Sequence, residues 1–309
     1  MFKFKSYFCL FLLSLSLPVK GESLDPFEEL ECLKPSINFW ESIYTKYGKD
    51  QLVFFHDRTF EIYKVIDLPL TSQRSKRYKV IKSIVVELRK TLTDEQLSHI
   101  RIQIGVKERF EKGIVIGKKL VPQIQDQLTL SKIPLELAMI PLVESSFQFN
   151  ALSKAGAKGP WQIMPGTLKM YSKAPRSKLN DLKFSTKIAI LILKDDYEAT
   201  KTWPLAINSY NSGIGRLVDA EKRLKTTNIC TIIDDYGVGA YRFASRNYYS
   251  QFLAAKRIYY NTYFPNIKVE TKNKIIKPKA KIKKIKKIKH KHKKKRKLRV
   301  ASLDFSTLF

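Results

Sequence analysis

The 309-residue sequence contains few residues of the types that mark several special classes of protein. Three cysteines are too few for a disulfide-rich scaffold, and 12 glycines and 13 prolines exclude a collagen-like or low-complexity chain. Acidic residues are also scarce, because 28 Asp and Glu stand against 58 Lys and Arg, which gives a net charge of +30. The 15 Tyr and 18 Phe nevertheless supply apolar surface for a core, which excludes a wholly disordered polycation.

The positive charge is concentrated near the C-terminus. Residues 268–299 contain 18 Lys and Arg and a single acid, Glu270. This stretch cannot bury enough apolar surface to offset its ordering entropy, so we predict a basic disordered tail at 266–309. Its expected partner is an anionic envelope polymer or an anionic membrane surface, which residues 268–299 would contact. A solvated charge run without a partner is the alternative.

The N-terminus has the layout of a secretory signal peptide. Two lysines follow Met1, an apolar run of 13 residues extends over Tyr7–Val19, and Val19-Lys20-Gly21 offers a cleavage site. We therefore predict a signal peptide at 1–21 and an exported protein of the periplasm or cell envelope, with membrane association as an option. An uncleaved anchor is the alternative. Export argues against nucleic acid as the partner of the tail.

Two cysteines remain once Cys9 leaves with the signal peptide. Cys32 and Cys230 would form one long-range disulfide in an oxidising compartment, and two free buried thiols are the alternative. No histidine accompanies either cysteine, and His56 and His99 are isolated in the sequence. We therefore predict neither a metal site nor a cofactor.

Apolar residues at helical spacing characterise the region 22–129. The segment RYKVIKSIVVELRKTL places Val80, Ile81, Ile84 and Val85 on one face, and Thr93 is placed to cap the next helix. We predict a helical N-terminal region without a catalytic pattern.

The apolar run PLELAMIPLVESSF predicts a buried central helix. Pro134 suits its first turn, and Pro141 is expected to kink it or to loosen its last turn. Glu144 lies where the apolar run meets a polar stretch. Partial desolvation favours the neutral form of this carboxyl and raises its pKa into the range of a general acid. A boundary glutamate that turns to solvent is the alternative.

Three motifs follow Glu144. The loop from Ser153 to Pro160 is rich in small residues, so its backbone can approach a ligand closely. Trp161 and Gln162 offer a stacking face and an amide to a sugar ring and its N-acetyl group. A helix that begins at a Ser185 cap precedes the third motif, Ser209-Tyr210-Asn211-Ser212-Gly213, whose Tyr and Asn could bond a buried carboxylate or a substrate.

In this order and spacing, the motifs resemble the lytic murein transglycosylases that have a lysozyme-like SLT domain, most closely the membrane-bound type D group. The resemblance covers about residues 130–260. It implies a mainly α fold with a lysozyme-like (SLT) catalytic domain at 130–265 after a helical N-terminal region. It also implies that Glu144 is the catalytic acid/base and that Tyr210 hydrogen-bonds around it. The implied substrate contacts are Ser145, Ser153, Gly159, Trp161, Gln162, Met164, Tyr210 and Asn211.

The activity that this resemblance implies is cleavage of peptidoglycan glycan strands between N-acetylmuramic acid and N-acetylglucosamine, without water and with a 1,6-anhydromuramyl product. A single-carboxylate site fits the sequence, because no Asp or Glu occurs between Glu144 and Asp181, whereas hydrolysis usually needs two carboxylates. A hydrolytic muramidase and a non-catalytic secreted peptidoglycan-binding protein are the alternatives.

Three departures from the family pattern matter. Pro160 stands where the family usually has Leu before Trp161, and no LysM-type carbohydrate-binding repeat follows the domain. Ala244-Ser245 stand where the family has a Glu-Thr pair, so one substrate-side carboxylate is missing.

Overall fold

The computed structural model describes residues 26–68, 73–238, 241 and 243–265; the predicted signal peptide and basic tail lie outside them. The described residues form a mainly helical fold, as expected, together with one small β-sheet. Their strands are β1 (Gln51–His56), β2 (Ile62–Asp67) and β3 (Ile100–Ile104). Their α-helices are α1 (Lys34–Thr45), α2 (Arg74–Leu88), α3 (Asp94–Ser98), α4 (Lys107–Leu130), α5 (Ile140–Ser145), α6 (Pro165–Tyr171), α7 (Leu182–Thr200), α8 (Trp203–Ser212), α9 (Ile214–Leu224), α10 (Ile229–Asp235) and α11 (Phe243–Tyr263).

The sheet is the part of the N-terminal region that the sequence did not predict. Its strands are antiparallel in the order β2-β1-β3. Along β1, Val53 and Phe55 enter the main core, whereas Leu52 and Phe54 enter a smaller core that also contains residues of α2. Because β1 is buried on both faces, its sequence QLVFFH lacks the alternation of polar and apolar residues that indicates a half-buried strand.

The predicted helical features of this region are confirmed at α2 and α3. The apolar segment around Ile81 lies in α2. Thr93 caps α3 through a reciprocal pair of bonds: its Oγ1 accepts from the backbone N–H of Gln96 at 3.2 Å, and its own N–H donates to Gln96 Oε1 at 2.9 Å.

Two predicted helix starts are wrong. The run after Pro134 is not one helix, because a 3-10 turn (Leu135–Met139) precedes α5. Pro141 therefore lies in the first turn of α5, where its missing N–H leaves no helical bond unmade, and it causes no kink. The N-cap of α7 is Asp181, whose Oδ1 accepts from Phe184 N at 2.7 Å. Ser185 lies inside the helix, buried, and donates to the Asp181 carbonyl.

The main core is continuous across the predicted boundary at residues 129 and 130. Helix α1 packs against both α4 and α11. Arg257 on α11 forms ion pairs with Glu29 at 2.5 Å and with Glu41 at 2.7 Å. Cys32 and Cys230 form a disulfide with their Cα atoms 6.2 Å apart, which decides between the two alternatives that the sequence left open. Within the described ranges, no helix has the length and the apolar character needed to cross a bilayer.

Close packing of α4 fixes the position of α5. A Cβ on Gly113 would lie 2.8 Å from Leu142 Cδ1 and from Ser146 Cβ, and a Cβ on Gly117 would lie 3.0 Å from the Phe147 ring. The two glycines therefore allow α4 to approach the end of α5 that carries Glu144.

Candidate active site

Glu144 and Tyr248 form the centre of the candidate site. Glu144 is the penultimate residue of α5, and α11 crosses α5 so that the Tyr248 hydroxyl donates to Glu144 Oε1 at 2.6 Å. Tyr248 is 3% exposed, whereas Glu144 is half-buried. This short bond from a buried donor holds the carboxyl in one orientation, while the half-buried carboxyl stays open to solvent on its other side.

The surroundings of Glu144 favour its neutral form. Burial raises the pKa of Glu144 from 4.5 to about 7, and the hydrogen bond from Tyr248 opposes part of that rise. The pKa of Tyr248 is raised well above 10 by its own burial and then by the Glu144 charge, so the phenol stays a donor. A carboxyl with a pKa near neutrality can give up a proton and take one back, as a general acid/base must.

The residues that follow Glu144 turn the chain sharply. Ser146 and Phe147 both have positive φ, 52° and 59°, and Ser146 ends α5 in the left-handed conformation. Ser145 is buried, and its hydroxyl lies 2.8 Å from the Pro160 carbonyl and 3.3 Å from the Pro141 carbonyl. The structure thus places Ser145, a predicted substrate contact, where it joins α5 to the small-residue loop.

That loop is held by bonds within itself. Ser153 Oγ accepts from Ala157 N at 2.9 Å, and Gln162, at φ 47°, donates through Nε2 to the Gly159 carbonyl at 2.8 Å. Gly159 has φ 79°, and a Cβ there would lie 1.9 Å from the Leu179 carbonyl oxygen. Only glycine fits this position. Ser153 and Gln162 remain half-buried, and Met164 is 40% exposed, so all three border solvent.

Trp161 does not offer the stacking face expected from the sequence. It is fully buried, and its indole N–H donates to Thr186 Oγ1 on α7 at 2.9 Å. An indole that lies between the loop and α7 adds to the core and cannot stack on a sugar. The prediction failed because a Trp in a polar loop has the same sequence pattern whether its ring points outward or inward.

The third motif lies beside Trp161. The Tyr210 hydroxyl donates to the Trp161 carbonyl at 2.8 Å, so the bond to Glu144 that was expected of Tyr210 is made by Tyr248 instead. Asn211 is exposed, and its Oδ1 accepts from Ser245 Oγ at 3.2 Å. Ser245 belongs to the pair that replaces the family's Glu-Thr, and here it bonds an amide of the third motif.

Tyr248 is the residue of the candidate site that sequence reasoning missed. It lies 104 residues after Glu144, and α11 brings it to the carboxyl. The segment Phe243–Tyr248 was recognised for the acid it lacks, and nothing in its local pattern separates Tyr248 from Tyr249. Tyr249 is also buried but points to a different part of the core, where its ring stacks near Phe252.

His56 and His99 are not isolated in space, contrary to the sequence prediction. Pairing of β1 with β3 brings their rings 4.8 Å apart, and His99 Nδ1 lies 2.8 Å from Asp57 Oδ1. His56 Nδ1 accepts from the backbone N–H groups of Arg58 and Thr59. These donors keep the proton of the neutral ring on Nε2, so that nitrogen has no lone pair for a metal. Both rings make hydrogen bonds at the end of the β1–β3 pair, His56 with the turn after β1 and His99 with Asp57.

Comparisons with known proteins agree with the motifs. The family described as "Transglycosylase SLT domain" matches residues 124–233. Membrane-bound lytic murein transglycosylase D of Escherichia coli (strain K12) is 36% identical over 106 residues, which are 33% of this chain and 24% of that protein. A putative tributyltin chloride resistance protein of Alteromonas sp. (strain M-1) is 34% identical over 98 residues, 30% of this chain and 47% of that protein.

A solved structure of an inactive mutant of the lytic transglycosylase Slt from Pseudomonas aeruginosa is similar with a TM-score of 0.36 and 22% identity, over 47% of this chain and 24% of that one. The chain spans between a quarter and a half of the length of the curated relatives given above. The match at residues 124–233 includes Glu144, the small-residue loop and the third motif. The resemblance to type D lytic murein transglycosylases is therefore confirmed, and residues 124–233 of this chain match the transglycosylase SLT domain.

Proposed function

We propose that this protein is a peptidoglycan lytic transglycosylase in which Glu144 is the single general acid/base. The observation that carries the proposal is the half-buried carboxyl of Glu144, with a pKa of about 7 and a bond from Tyr248. A protein that only binds glycan does not need a carboxyl that changes its protonation state near neutral pH.

In the proposed reaction, neutral Glu144 gives its proton to the glycosidic oxygen between N-acetylmuramic acid and N-acetylglucosamine. The 2-acetamido group of the muramyl residue assists departure of the leaving sugar. The carboxylate of Glu144 then takes the proton of the muramyl 6-hydroxyl, whose oxygen closes a 1,6-anhydro ring. Tyr248 would stabilise the carboxylate between the two proton transfers, because a hydrogen bond favours the charged form.

The electrostatics of Glu144 favour one carboxylate over two. Hydrolytic glycosidases place a second carboxylate about 5–9.5 Å from the acid. The charge of a second carboxylate would raise the pKa of Glu144. Among the described residues, however, burial raises this pKa, and the hydrogen bond from Tyr248 lowers it. A substrate that supplies its own nucleophile, the 6-hydroxyl, needs no second carboxylate.

We further propose that the exposed or half-buried residues of the motifs contact the glycan. Ser153, Gln162, Met164 and Asn211 border solvent near the loop and the third motif, whereas Gly159 and Tyr210 shape the cleft through the backbone and through Trp161. The function as a wall enzyme also rests on export by residues 1–21 and on a tether at 268–299, both of which remain predictions.

The product decides between this proposal and its competitors. Purified sacculi are digested with the full-length secreted protein, and the glycan ends are analysed by mass spectrometry. We expect 1,6-anhydromuramyl ends. Reducing muramic ends would make the protein a hydrolytic muramidase, and binding to sacculi without any cleavage would make it a peptidoglycan-binding protein.

The matched variants are Glu144→Gln and Glu136→Gln. Both remove one carboxylate in the same stretch of chain, but Glu136 lies in the 3-10 turn before α5. We expect Glu144→Gln to keep the fold and to lose nearly all turnover, while Glu136→Gln keeps both. Normal turnover of Glu144→Gln would show that the acid lies elsewhere.

A further inference from the structure

The structure contains a concave surface apart from the Glu144 site. A groove of about 670 Å³ runs along the outer face of α7, bordered by the C-terminal end of α4 and by the 3-10 turn Arg176–Asn180. Its lining contains none of the residues placed at the Glu144 site. Thr186 on the same helix is buried and accepts from Trp161, so α7 also has a side that faces the core. The groove is thus a separate surface of the same domain.

The floor of this groove is apolar although it is open to solvent. Leu130, the last residue of α4, is 85% exposed, and Leu191 on α7 is 37% exposed. Pro175, Phe184 and Ile190 line the same surface. Single exposed apolar side chains are common on soluble proteins, but here Leu130, Leu191 and Pro175 are exposed in one concavity, beside the half-buried Phe184 and the buried Ile190. Such a cluster is typical of a binding surface.

Lysines surround the apolar floor. Lys178, Lys183, Lys187 and Lys194 all line the groove and are exposed, and none of them forms an ion pair with a described residue. The one acid in the lining, Asp181, uses its carboxylate to cap α7. The groove therefore has an excess of positive charge, while the alkyl stems of the lysines extend its apolar surface.

We propose that this groove binds an anionic phospholipid of a membrane surface. An acyl chain of the lipid would lie against the apolar floor, and its phosphate would lie among the lysines. The apolar floor of the groove matches the acyl chain, and the surrounding lysines match the negatively charged phosphate. A soluble polyanion would neutralise the lysines and leave Leu130 and Leu191 in water. An uncharged apolar ligand would cover the floor and leave four ammonium groups close together. The proposal concerns binding and does not depend on the reaction at Glu144.

The experiment uses the full chain and a monomeric lipid. Dihexanoyl-phosphatidylglycerol is titrated below its micelle concentration, beside dihexanoyl-phosphatidylcholine and inorganic phosphate, and binding is measured by calorimetry. We expect the anionic lipid to bind more tightly than either control. Leu130→Ser with Leu191→Ser should weaken its binding about tenfold and leave phosphate binding unchanged. Lys183→Ser with Lys187→Ser should weaken it at least about tenfold.

The matched control is Lys112→Ser with Lys119→Ser. It removes the same charge from α4, about 16 Å or more from Leu130 at 1.5 Å per residue, and should bind the lipid as the wild type does. All variants should also cleave sacculi as the wild type does. Failure of the lipid-binding proposal can therefore be distinguished from failure of the proposed enzymatic function. Sedimentation with phosphatidylglycerol vesicles should rank the variants in the same order.

Two outcomes would overturn the proposal. If both lysine variants lose binding equally, the interaction is with net charge and not with the groove. If the leucine variant binds the lipid normally, while polyglutamate binding depends on Lys183 and Lys187, the groove is a site for acidic peptide.

Discussion

Tyr248 and Glu144 are 104 residues apart in the chain, and their side-chain oxygens are 2.6 Å apart in the fold. The bond joins α5 to α11, because Glu144 is the penultimate residue of α5 and Tyr248 lies in the second turn of α11. A donor from a separate helix makes the protonation of Glu144 sensitive to the position of α11.

Tyr248→Phe should shift the pH dependence of cleavage. The bond lowers the pKa of Glu144, so its removal should raise that pKa further. Because the proposed acid must begin protonated, the loss of activity at alkaline pH should move upward by about one pH unit, with lower turnover throughout. Tyr259→Phe is the control, since it removes another buried hydroxyl of α11 that bonds the Gly117 carbonyl. An identical shift in both variants would refute a specific role for Tyr248.

Asp196 should make the fold less stable as pH rises. It is buried, Oδ2 has no hydrogen-bond partner among the described residues, and burial followed by the Asp195 charge raises its pKa from 3.8 to about 7. The folded state then binds more protons than the unfolded state between pH 4 and pH 7, so the free energy of unfolding falls across that range. Glu144 contributes with the same sign.

Asp196→Asn should reduce this dependence and increase the free energy of unfolding at pH 8 by about 1–3 kcal/mol. Urea unfolding at pH 5 and pH 8 measures both quantities. Asp126→Asn, an exposed change on α4, should alter neither. A wild-type slope retained in Asp196→Asn would show that Asp196 does not ionise in this range.

The disulfide should contribute substantially to stability. Cys32 and Cys230 close a loop with a sequence separation of 198 residues, and long loops lose the most unfolded-state entropy when they are closed. Reduction, or Cys32→Ser with Cys230→Ser, should lower the free energy of unfolding by about 2–5 kcal/mol. Urea unfolding with and without reductant tests this. The free energy of unfolding of the double variant should not change when reductant is added. A change would mean that the loss of stability on reduction does not come from this disulfide.

Gly159→Ala should disrupt the small-residue loop. The positive φ and the 1.9 Å approach of a new Cβ to the Leu179 carbonyl require backbone movement, which should cost at least about 2 kcal/mol of stability and most of the activity. Gly166→Ala is the matched control, since a Cβ there meets nothing within 4 Å and lies in α6. Thermal unfolding and sacculus digestion are the measurements, and equal behaviour of the two variants would contradict this account of the loop.

Deletion of residues 268–309 tests the predicted tether. Without the tail the protein has fewer positive charges to hold it at an anionic surface, so it should leave the envelope fraction at a lower salt concentration than the wild type. Salt weakens such attraction because exposed charges are screened beyond about 10 Å at 0.1 M. Cleavage of soluble glycan should be unchanged. Fractionation across a salt series would reject the tether if the two proteins elute together.

Prediction from sequence succeeded where one segment carries the whole signal. The raised pKa of Glu144 was predicted because an apolar run ends beside it, and Thr93 was recognised as a cap because both partners of its box lie within four residues. Prediction failed where distant segments decide. Strand β1 needs partners up to about 50 residues away, Trp161 is buried by α7, and the pair of His56 and His99 exists only through strand pairing. Local pattern contains no information on such contacts.

The span of α11 limits how small an active fragment can be. The SLT match ends at residue 233, and α11 begins at Phe243. A fragment cut to residues 124–233 would therefore retain Glu144, the loop and the third motif but lack the phenol that bonds the acid. It would also lose Cys32 and most of α4. Recombinant work on this chain needs the segments on both sides of the matched domain, because they supply Tyr248 of the candidate site and one cysteine of the disulfide.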